Sequence, residues 1–378
     1  MKIHHIQYMK KRYGGSETYL GIVKKLSRFK HNVGFAQDSA KEIARGDPIF
    51  LKTYYDFKVY FNKKELREYG LIHSHFFIPA FFAQQNGLVS VCSSHCMLSK
   101  EFKIAIADAQ DEKEKKELEQ SYSFIKYLEQ EFYPQINNLI VYSEFHKKEL
   151  EELGAKTHML KLPVNLKEFN KSLSKEAARK VIGIQDKFTI LFLGRPTYLK
   201  GFHTLAEAYN NLSKKYEAQL LVVGDFNKLG PNIAYSACVR GNSQKEVNAK
   251  ISIGGDVFVA NNVCRSKIPL YFRAADVLVC PSIYEALGYV NLEAMASKIP
   301  VIGSNTAGMP YIISDRKTGL LFKAGDSKDL ESKLAEIRED DVLRKKIVSN
   351  AWEFVQQFDS NKIIKKLDNF YEAVIKND

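Results

Sequence analysis

Short apolar runs alternate with amphipathic stretches along this chain, and the alternation restricts its fold more than any other feature. Runs of this kind predict strands, and most are followed by a helical pattern. The candidate strands are Lys2 to Gln7, Gly70 to His73, Leu88 to Ser93, Asn138 to Tyr142, Phe188 to Gly194, Gln219 to Gly224, Asp276 to Cys280 and Pro300 to Gly303. Strands that alternate with helices favour parallel sheets with helices on both faces, so we predict an α/β protein.

A break in the alternation at LPVNLKEFNKSLS, Leu162 to Ser174, divides two such series. We predict two Rossmann-like domains that face each other across a cleft, at residues 1–165 and 166–358. Residues 359–378 are predicted to form a helix that crosses back to the first domain. The charged segment from Ser99 to Glu131 predicts one or two surface helices.

Composition excludes several classes of protein. No run approaches the roughly 18 apolar residues that span a bilayer, and MKIHHIQYMKKR lacks the apolar core of a signal peptide, so we expect a cytoplasmic protein. The five cysteines show neither a disulfide framework nor CxxC spacing. We expect buried, reduced thiols and no zinc site.

The net charge of +12 is unevenly distributed: residues 1–100 hold 16 Lys/Arg against 7 Asp/Glu, and residues 101–150 hold 7 against 11. A basic amino-terminal surface suits peripheral contact with an anionic membrane, on the inner face of the cell membrane, or with an anionic acceptor. A solvated lysine-rich surface is the alternative, and we do not expect nucleic acid as a partner. The residues concerned are Lys10, Lys11, Arg12, Lys24, Lys25, Arg28 and Lys30.

Open parallel sheets bind ligands beyond the carboxyl ends of their strands, so the strand-to-helix loops are the places to search. The loop YGGSE brings Gly14 and Gly15 to the start of a helix, where backbone amides can meet an anion, although a tight turn explains the pair equally well. The loop LGRPTYLKG carries Arg195 and Lys200, and a guanidinium with an ammonium suits a diphosphate. Two exposed surface cations are the alternative.

A third loop, in YEALGYVNLEAMA, holds two glutamates. Gly288 precedes a helix, so the amides of Gly288, Tyr289 and Val290 lie at a helix start and can bind phosphate or sugar oxygens. Glu285 lies before that helix and Glu293 in its second turn. Carboxylates accept hydrogen bonds from vicinal hydroxyls, so the combination suits a sugar diphosphate better than any single residue does.

At this point the sequence resembles glycosyltransferase family 4 of the GT-B fold. The family hallmark is a Glu, seven residues and a second Glu, which EALGYVNLEAMASKIPVIGSNTAGMPYIISDRKTGLLF matches nearly throughout. The resemblance continues through GRPTYLKGFHTLAEAY, LLVVGD, IPLYFRAADVLVCPS, YGGSETYL and LIVYSEFHKKEL, and it covers almost the whole chain.

The resemblance implies a retaining hexosyl transfer from a nucleotide sugar, with a UDP-sugar the expected donor, to a hydroxyl acceptor in glycan, glycolipid or glycoconjugate biosynthesis. The first domain would bind the acceptor, lipid-linked or polysaccharide, and the second the nucleotide sugar. Glu293 would hold the ribose, Glu285 the donor sugar, and Arg195 and Lys200 the diphosphate. His95 matches a family histidine near the sugar and acceptor.

The remaining residues implied by the resemblance act as supports. Gly14 and Gly15 would approach the donor phosphate or acceptor, and the amides at Gly288, Tyr289 and Val290 would assist the cations. His73 and His75 lie where the family often has H-x-H, and we expect a mainly structural role for them. The departures from the family pattern are Leu287 for Phe, Tyr311 for Glu, PVNL without its glycine, and Asn261 and Asn262 where glycine is common.

No cofactor is expected beyond the nucleotide-sugar co-substrate, and no metal. Many nucleotide-sugar enzymes hold a metal with an Asp-x-Asp motif, which the 378 residues lack. Two other classes stay open: a catalytically inactive nucleotide-sugar-binding partner subunit, and a nucleotide-sugar epimerase of the same architecture, because fold alone does not define activity.

Overall fold

The computed structural model describes residues 2–7, 15–35, 49–61, 64–169, 173–224, 233–235, 251–261 and 263–377. The chain divides into two compact units, Met1–Val164 with Phe358–Asp378, and Asn165–Gln357. We call them the amino-terminal unit and the carboxyl-terminal unit.

The amino-terminal unit begins with six strands and six helices in near-regular alternation. They are β1 (Lys2–Gln7), α1 (Gly15–Leu26), β2 (Lys30–Phe35), α2 (Ile49–Tyr60), β3 (Leu71–Ser74), α3 (Phe77–Gln85), β4 (Ser90–Ser93), α4 (Leu98–Ala107), α5 (Glu112–Phe132), β5 (Leu139–Val141), α6 (Glu144–Glu151) and β6 (Thr157–Met159). The strands form one parallel sheet in the order β2-β1-β3-β4-β5-β6.

The carboxyl-terminal unit repeats this plan. Its elements are α7 (Leu166–Phe169), α8 (Lys175–Ile182), β7 (Phe188–Leu193), α9 (Phe202–Leu212), β8 (Ala218–Gly224), β9 (Ile233–Tyr235), β10 (Ile251–Ile253), β11 (Asp256–Asn261), α10 (Ile268–Ala274), β12 (Val277–Cys280), α11 (Tyr289–Ala296), β13 (Val301–Ser304), β14 (Leu320–Phe322), α12 (Ser327–Glu339) and α13 (Asp341–Val355). Six strands form a parallel sheet in the order β11-β8-β7-β12-β13-β14, and β9 and β10 form a separate parallel pair.

The last helix, α14 (Ser360–Lys376), packs on the amino-terminal unit. Asp359 caps its start by accepting from the amides of Asn361 and Lys362. At the middle of the helix, Asp368 accepts from the Ser27 hydroxyl at 2.6 Å and from the Arg28 amide at 3.0 Å. These bonds hold α14 against the end of α1.

All eight predicted strands are present, with ends that differ from the prediction by at most two residues. The segment from Ser99 to Glu131 forms two helices, α4 and α5. The prediction missed β2, β6, β9, β10, β11 and β14. None of the helices in the described ranges combines the length and apolar character that crossing a bilayer requires.

Each sheet contains one point where the strand order reverses relative to the chain, between β1 and β3 in the first and between β7 and β12 in the second. Loops that leave adjacent strands there run to opposite sides and open a crevice at the carboxyl edge of the sheet. In both units this crevice is the place to look for a ligand.

Candidate active site

The loops that follow β7 and β12 meet at the reversal point of the second sheet. These strands are neighbours, with Ile190 opposite Val277, so their carboxyl ends lie side by side. The ammonium of Lys200 donates to Glu285 Oε2 at 2.7 Å. A cation and a carboxylate therefore meet at this edge of the sheet.

Gly201 lets the two loops approach so closely. Its φ is +65°, in the left-handed region, and a Cβ at this position would overlap the carbonyl oxygen of Pro281. The amide of Ile283 donates to the carbonyl of Leu199 at 2.9 Å across the same junction. A side chain at position 201 would push Lys200 away from Glu285.

The start of α11 lies at the same carboxyl edge of the sheet. Gly288 precedes the helix with φ +82°, and within the described part of the chain no side chain caps the helix start. The first amides of a helix have no intrahelical acceptor and carry partial positive charge. The backbone at Gly288, Tyr289 and Val290 is thus suited to bind an anion.

Glu293, in the second turn of α11, is buried and forms an ion pair. Its Oε1 lies 2.5 Å from Nη2 of Arg265, whose guanidinium also lies 5.2 Å from the centroid of the Phe169 ring. Burial raises the pKa of the Glu293 carboxyl, the Arg265 guanidinium opposes this rise, and Glu168 adds to it. The sequence analysis did not identify Arg265, because β11, the strand that precedes it, was not predicted either.

Arg195 follows β7 by two residues and its side chain is exposed. The amide of Thr197 donates to its carbonyl at 2.8 Å and tightens the loop that leads to Lys200. The site therefore contains two ion pairs, Lys200 with Glu285 and Arg265 with Glu293. Arg195 is exposed on the loop that also carries Lys200.

In the amino-terminal unit, His95 lies just beyond β4. Its Nε2 is 3.3 Å from Nδ1 of His75, and its ring is 5.2 Å from the ring of Tyr142 at an interplanar angle of 18°. Burial lowers the pKa of His95 to about 4, so the imidazole is neutral at pH 7. Gly14 lies outside the described residues, and Gly15 begins α1.

The structure gives the burial of several other residues that the sequence analysis named. Leu287 is buried, Tyr311 is 42% exposed, Asn261 ends β11, and Asn262 lies outside the described residues. The expectation of buried thiols is wrong for Cys264, which is exposed, whereas Cys92 and Cys280 are buried and Cys96 is half-buried. Cys238 lies outside the described residues, as do Lys10, Lys11 and Arg12.

One group of potential metal ligands occurs among the described residues: His5, His73 and His75 each have a nitrogen within 4.8 Å of the others. The nearest pair, His5 Nδ1 and His75 Nε2, is 3.1 Å apart and hydrogen-bonded. This distance is that of a hydrogen bond, and it is also close to the roughly 3.3 Å that separates two nitrogens bound to one tetrahedral metal at roughly 2.0 Å.

The carboxyl-terminal unit is similar in sequence to known proteins. Residues 174–354 match the family model described as glycosyl transferases group 1. An uncharacterized glycosyltransferase of Methanocaldococcus jannaschii is 30% identical over 220 residues, which are 56% of this chain and 53% of that protein. The chain thus spans about half the length of that relative.

Solved structures match the whole chain. Sucrose-phosphate synthase from Thermosynechococcus elongatus superposes with a TM-score of 0.74 at 19% identity, covering 100% of both chains. Anabaena HepE in complex with UDP-glucose gives a TM-score of 0.73 at 19% identity, covering 99% of this chain and 100% of that chain. At such identities the likeness concerns the fold, and it confirms the predicted α/β class with two Rossmann-like domains of GT-B type.

Proposed function

We propose that this protein is a retaining, metal-independent glycosyltransferase that moves a hexosyl group from a nucleotide sugar, a UDP-sugar by preference, to a hydroxyl acceptor. The observation that carries the proposal is the Lys200–Glu285 pair beside the uncapped start of α11, at the reversal point of the second sheet. Cations and helix-start amides suit a diphosphate, and a carboxylate next to them suits the sugar hydroxyls.

The ion pair and diphosphate binding are compatible. An ammonium has three N–H donors in a flexible geometry, so Lys200 can keep one bond to Glu285 while others turn toward phosphate oxygens. Glu285 in turn keeps Lys200 at the carboxyl edge of the sheet. Arg195, exposed on the same loop, supplies the second cation.

The transfer step follows from charge. The bond between the anomeric carbon and the diphosphate oxygen breaks, its electron pair goes to the diphosphate, and the acceptor oxygen bonds to the anomeric carbon on the same face. Negative charge grows on the leaving group, where preorganised cations and amides lower the barrier without reorganising. The departing phosphate oxygen helps to take the acceptor proton, and His95, as a neutral imidazole, can share this role.

Glu293 has a different task, holding the ribose hydroxyls. Arg265 bonds Oε1 of this carboxylate and opposes the rise in its pKa that burial causes, which leaves Oε2 as an acceptor for a ribose hydroxyl. Support for a uridine nucleotide comes from the fold likeness to the Anabaena protein, which is described in complex with UDP-glucose.

The experiment separates the two glutamates. Glu293→Ala should mainly weaken UDP binding, measured by calorimetry, whereas Glu285→Ala should mainly slow turnover at saturating donor. The donor is first chosen by thermal shift with UDP-, GDP- and ADP-sugars, since a ligand bound only by the folded state raises its stability. Equal loss of UDP affinity in both variants with unchanged turnover would contradict the assignment.

Measurements of UDP binding and of nucleotide release also distinguish a transferase from the two alternatives, a binding subunit and an epimerase. A binding subunit would show saturable UDP affinity but release no nucleotide from the donor. An epimerase would convert the sugar of the donor in the absence of any acceptor.

A further inference from the structure

Three histidines of the amino-terminal unit meet at the reversal point of the first sheet. His5, on β1, is the register partner of His73, on β3, so their side chains lie on the same face of the sheet. His75 follows two residues later, and its ring centroid is 4.7 Å from that of His73 and 5.4 Å from that of His5. We call these residues the histidine trio.

The nitrogens of the histidine trio are close to the spacing of metal ligands. One nitrogen of each ring lies within 4.8 Å of the others, and His5 Nδ1 is 3.1 Å from His75 Nε2. Two nitrogens that bind one tetrahedral zinc ion at roughly 2.0 Å are roughly 3.3 Å apart. The pair of His5 and His75 has this spacing, so rotation of the rings, with a closer approach of His73, completes a set of three ligands.

Two rings of the trio also have a partner for the nitrogen that would face away from an ion. His5 Nε2 lies 2.7 Å from His31 Nδ1, and His75 Nδ1 lies 3.3 Å from His95 Nε2. A metal-bound histidine almost always donates its other N–H to such an acceptor, which fixes the tautomer and the orientation of the ring. His31 and His95 are therefore placed as outer partners of His5 and His75.

His73 meets the same requirement whichever nitrogen faces the ion. Its Nδ1 lies 2.5 Å from Tyr371 Oη, and its Nε2 lies 2.7 Å from Ser93 Oγ. When one nitrogen binds an ion, the other keeps a hydroxyl as its hydrogen-bond partner. Ligation therefore costs the His73 ring one hydrogen bond and leaves the second in place.

The trio has the protonation state that metal binding needs. Burial lowers the pKa of His5, His73 and His75, so the three imidazoles are neutral near pH 7, and the neutral form is the one that binds a metal. Each neutral imidazole has one N–H and one lone pair, so three of them bind an ion without releasing a proton. His5 and His73 are fully buried, and His75 is half-buried, which gives an ion a side from which to enter.

A carboxylate lies near one of the outer partners. Asp368 on α14 is 5% exposed and favours a positive charge on His31, although Lys24 opposes it there and at His5. A buried ion is stabilised when negative charge lies close to its ligands or their partners. The hydrogen bond between His5 and His31 connects the trio to this carboxylate side.

We propose that the histidine trio is a zinc site, with His5 Nδ1, His75 Nε2 and one nitrogen of His73 as ligands and the fourth position left for water. Imidazole nitrogens suit Zn²⁺, whereas Mg²⁺ and Mn²⁺ prefer carboxylate, carbonyl and water oxygens. Because the ligands come from β1 and from the end of β3, the ion ties these strands together and stabilises the amino-terminal unit. The sequence gives no sign of this site, since its residues meet only through strand register.

The zinc site is separate from the proposed transfer reaction. The diphosphate is assigned to cations of the carboxyl-terminal unit, whereas the trio belongs to the amino-terminal unit. Without an ion the imidazoles keep their hydrogen bonds to one another, so treatment with EDTA leaves the unit folded. A protein that transfers no sugar would refute the proposed function and leave the zinc site standing.

The first test titrates EDTA-treated, desalted protein with zinc chloride in a calorimeter. We expect one ion per chain and a higher unfolding temperature for the zinc-loaded protein, because an ion bound only by the folded state stabilises it. His31→Gln, at a half-buried position, removes an outer partner and should weaken zinc binding about 10–100-fold. His75→Gln removes a ligand and should weaken it further.

His158→Gln is the control for the titration. This histidine is exposed on β6 and its ring contacts Phe370, so the variant should bind zinc as the wild type does. A wild-type protein that binds no zinc, or equal affinity in His75→Gln and His158→Gln, would overturn the proposal.

The second test identifies the ligands in the wild-type protein and needs no variant, so it decides the case in which His75→Gln does not fold. X-ray absorption at the zinc edge of the loaded protein should show Zn–N distances of about 2.0–2.1 Å with the scattering pattern of imidazole rings. A Zn–S distance of about 2.3 Å, as the exposed Cys264 would give, or a first shell without imidazole would overturn the site.

Discussion

Removing Arg265 should destabilise the carboxyl-terminal unit and weaken its affinity for UDP together. The Glu293 side chain is 4% exposed and the Arg265 side chain 35%, with 2.5 Å between Oε1 and Nη2. Breaking a buried pair by removing one partner costs about 3–5 kcal/mol. Because a third of the Arg265 side chain is in contact with water, we expect about 2–3 kcal/mol for Arg265→Ala, which includes the lost contact with Phe169.

The loss of UDP affinity has the same cause. Burial already raises the pKa of Glu293, and Glu168 adds to the rise, so without Arg265 the carboxyl becomes protonated at a higher pH. A protonated carboxyl is a weaker acceptor for a ribose hydroxyl than a carboxylate. UDP should therefore bind about tenfold or more weakly at pH 7, which corresponds to roughly 1.4 kcal/mol.

Calorimetry measures both the unfolding of the carboxyl-terminal unit and the binding of UDP. A loss of about 2–3 kcal/mol in the free energy of unfolding should lower the unfolding temperature of this unit by several degrees. Arg316→Ala is the matched control, because Arg316 pairs with Glu336 on the surface with a side chain 54% exposed and should cost less than about 1 kcal/mol. The double variant Arg265→Ala/Glu293→Gln should recover much of the stability but not the UDP affinity. A stable Arg265→Ala that binds UDP normally would refute the reasoning.

Two further changes test individual groups by equilibrium unfolding. Burial raises the pKa of Glu129 from 4.5 to about 7. The contribution of Glu129 to stability should therefore fall as the pH rises from about 4.5 to 7, because the unfolded chain ionises first. The stability of Glu129→Gln relative to the wild type should increase over this range and reach a gain of about 2–3 kcal/mol at pH 8, and a difference that does not change with pH would contradict the prediction. Gly201→Ala should destabilise the protein by at least about 2 kcal/mol more than Gly183→Ala, and it should also reduce turnover. Both glycines have a positive φ, but only at position 201 would the added Cβ overlap the Pro281 carbonyl. Equal losses of stability in the two variants would contradict this prediction.

The sheets were predictable where strands are apolar and central. Phe188–Leu193 is buried at its four central residues and Val277–Cys280 throughout, and Thr189 is the one polar residue in the two runs, FTILFL and VLVC. The strand Lys30–Phe35 lies at the edge of its sheet, and KHNVGF contains a lysine, a histidine and a glycine that do not suggest a strand. Thr157–Met159 and Leu320–Phe322 are edge strands of three residues, too short to show a period.

The site was predictable where residues follow adjacent strands, and less so where they do not. Lys200 and Glu285 meet because β7 and β12 are neighbours, which the Rossmann order implies. Arg265 reaches Glu293 from a loop after β11, and nothing in the sequence shows that this loop passes α11. The contacts of His5 with His31 and His75 depend on the register of three strands, which a single sequence does not encode in a visible pattern.

The central claim is that protein cations, and no divalent metal, stabilise the departing diphosphate. The most direct measurement is nucleotide release from the preferred donor in EDTA, with Lys200→Ala, Arg195→Ala and the control Lys187→Ala, whose side chain pairs with Asp256 away from the site. We predict that wild-type turnover survives EDTA, that each of the first two variants loses on the order of a hundredfold, and that Lys187→Ala stays near wild type. Activity abolished by EDTA and restored by magnesium or manganese, with mild effects of Lys200→Ala and Arg195→Ala, would contradict the account.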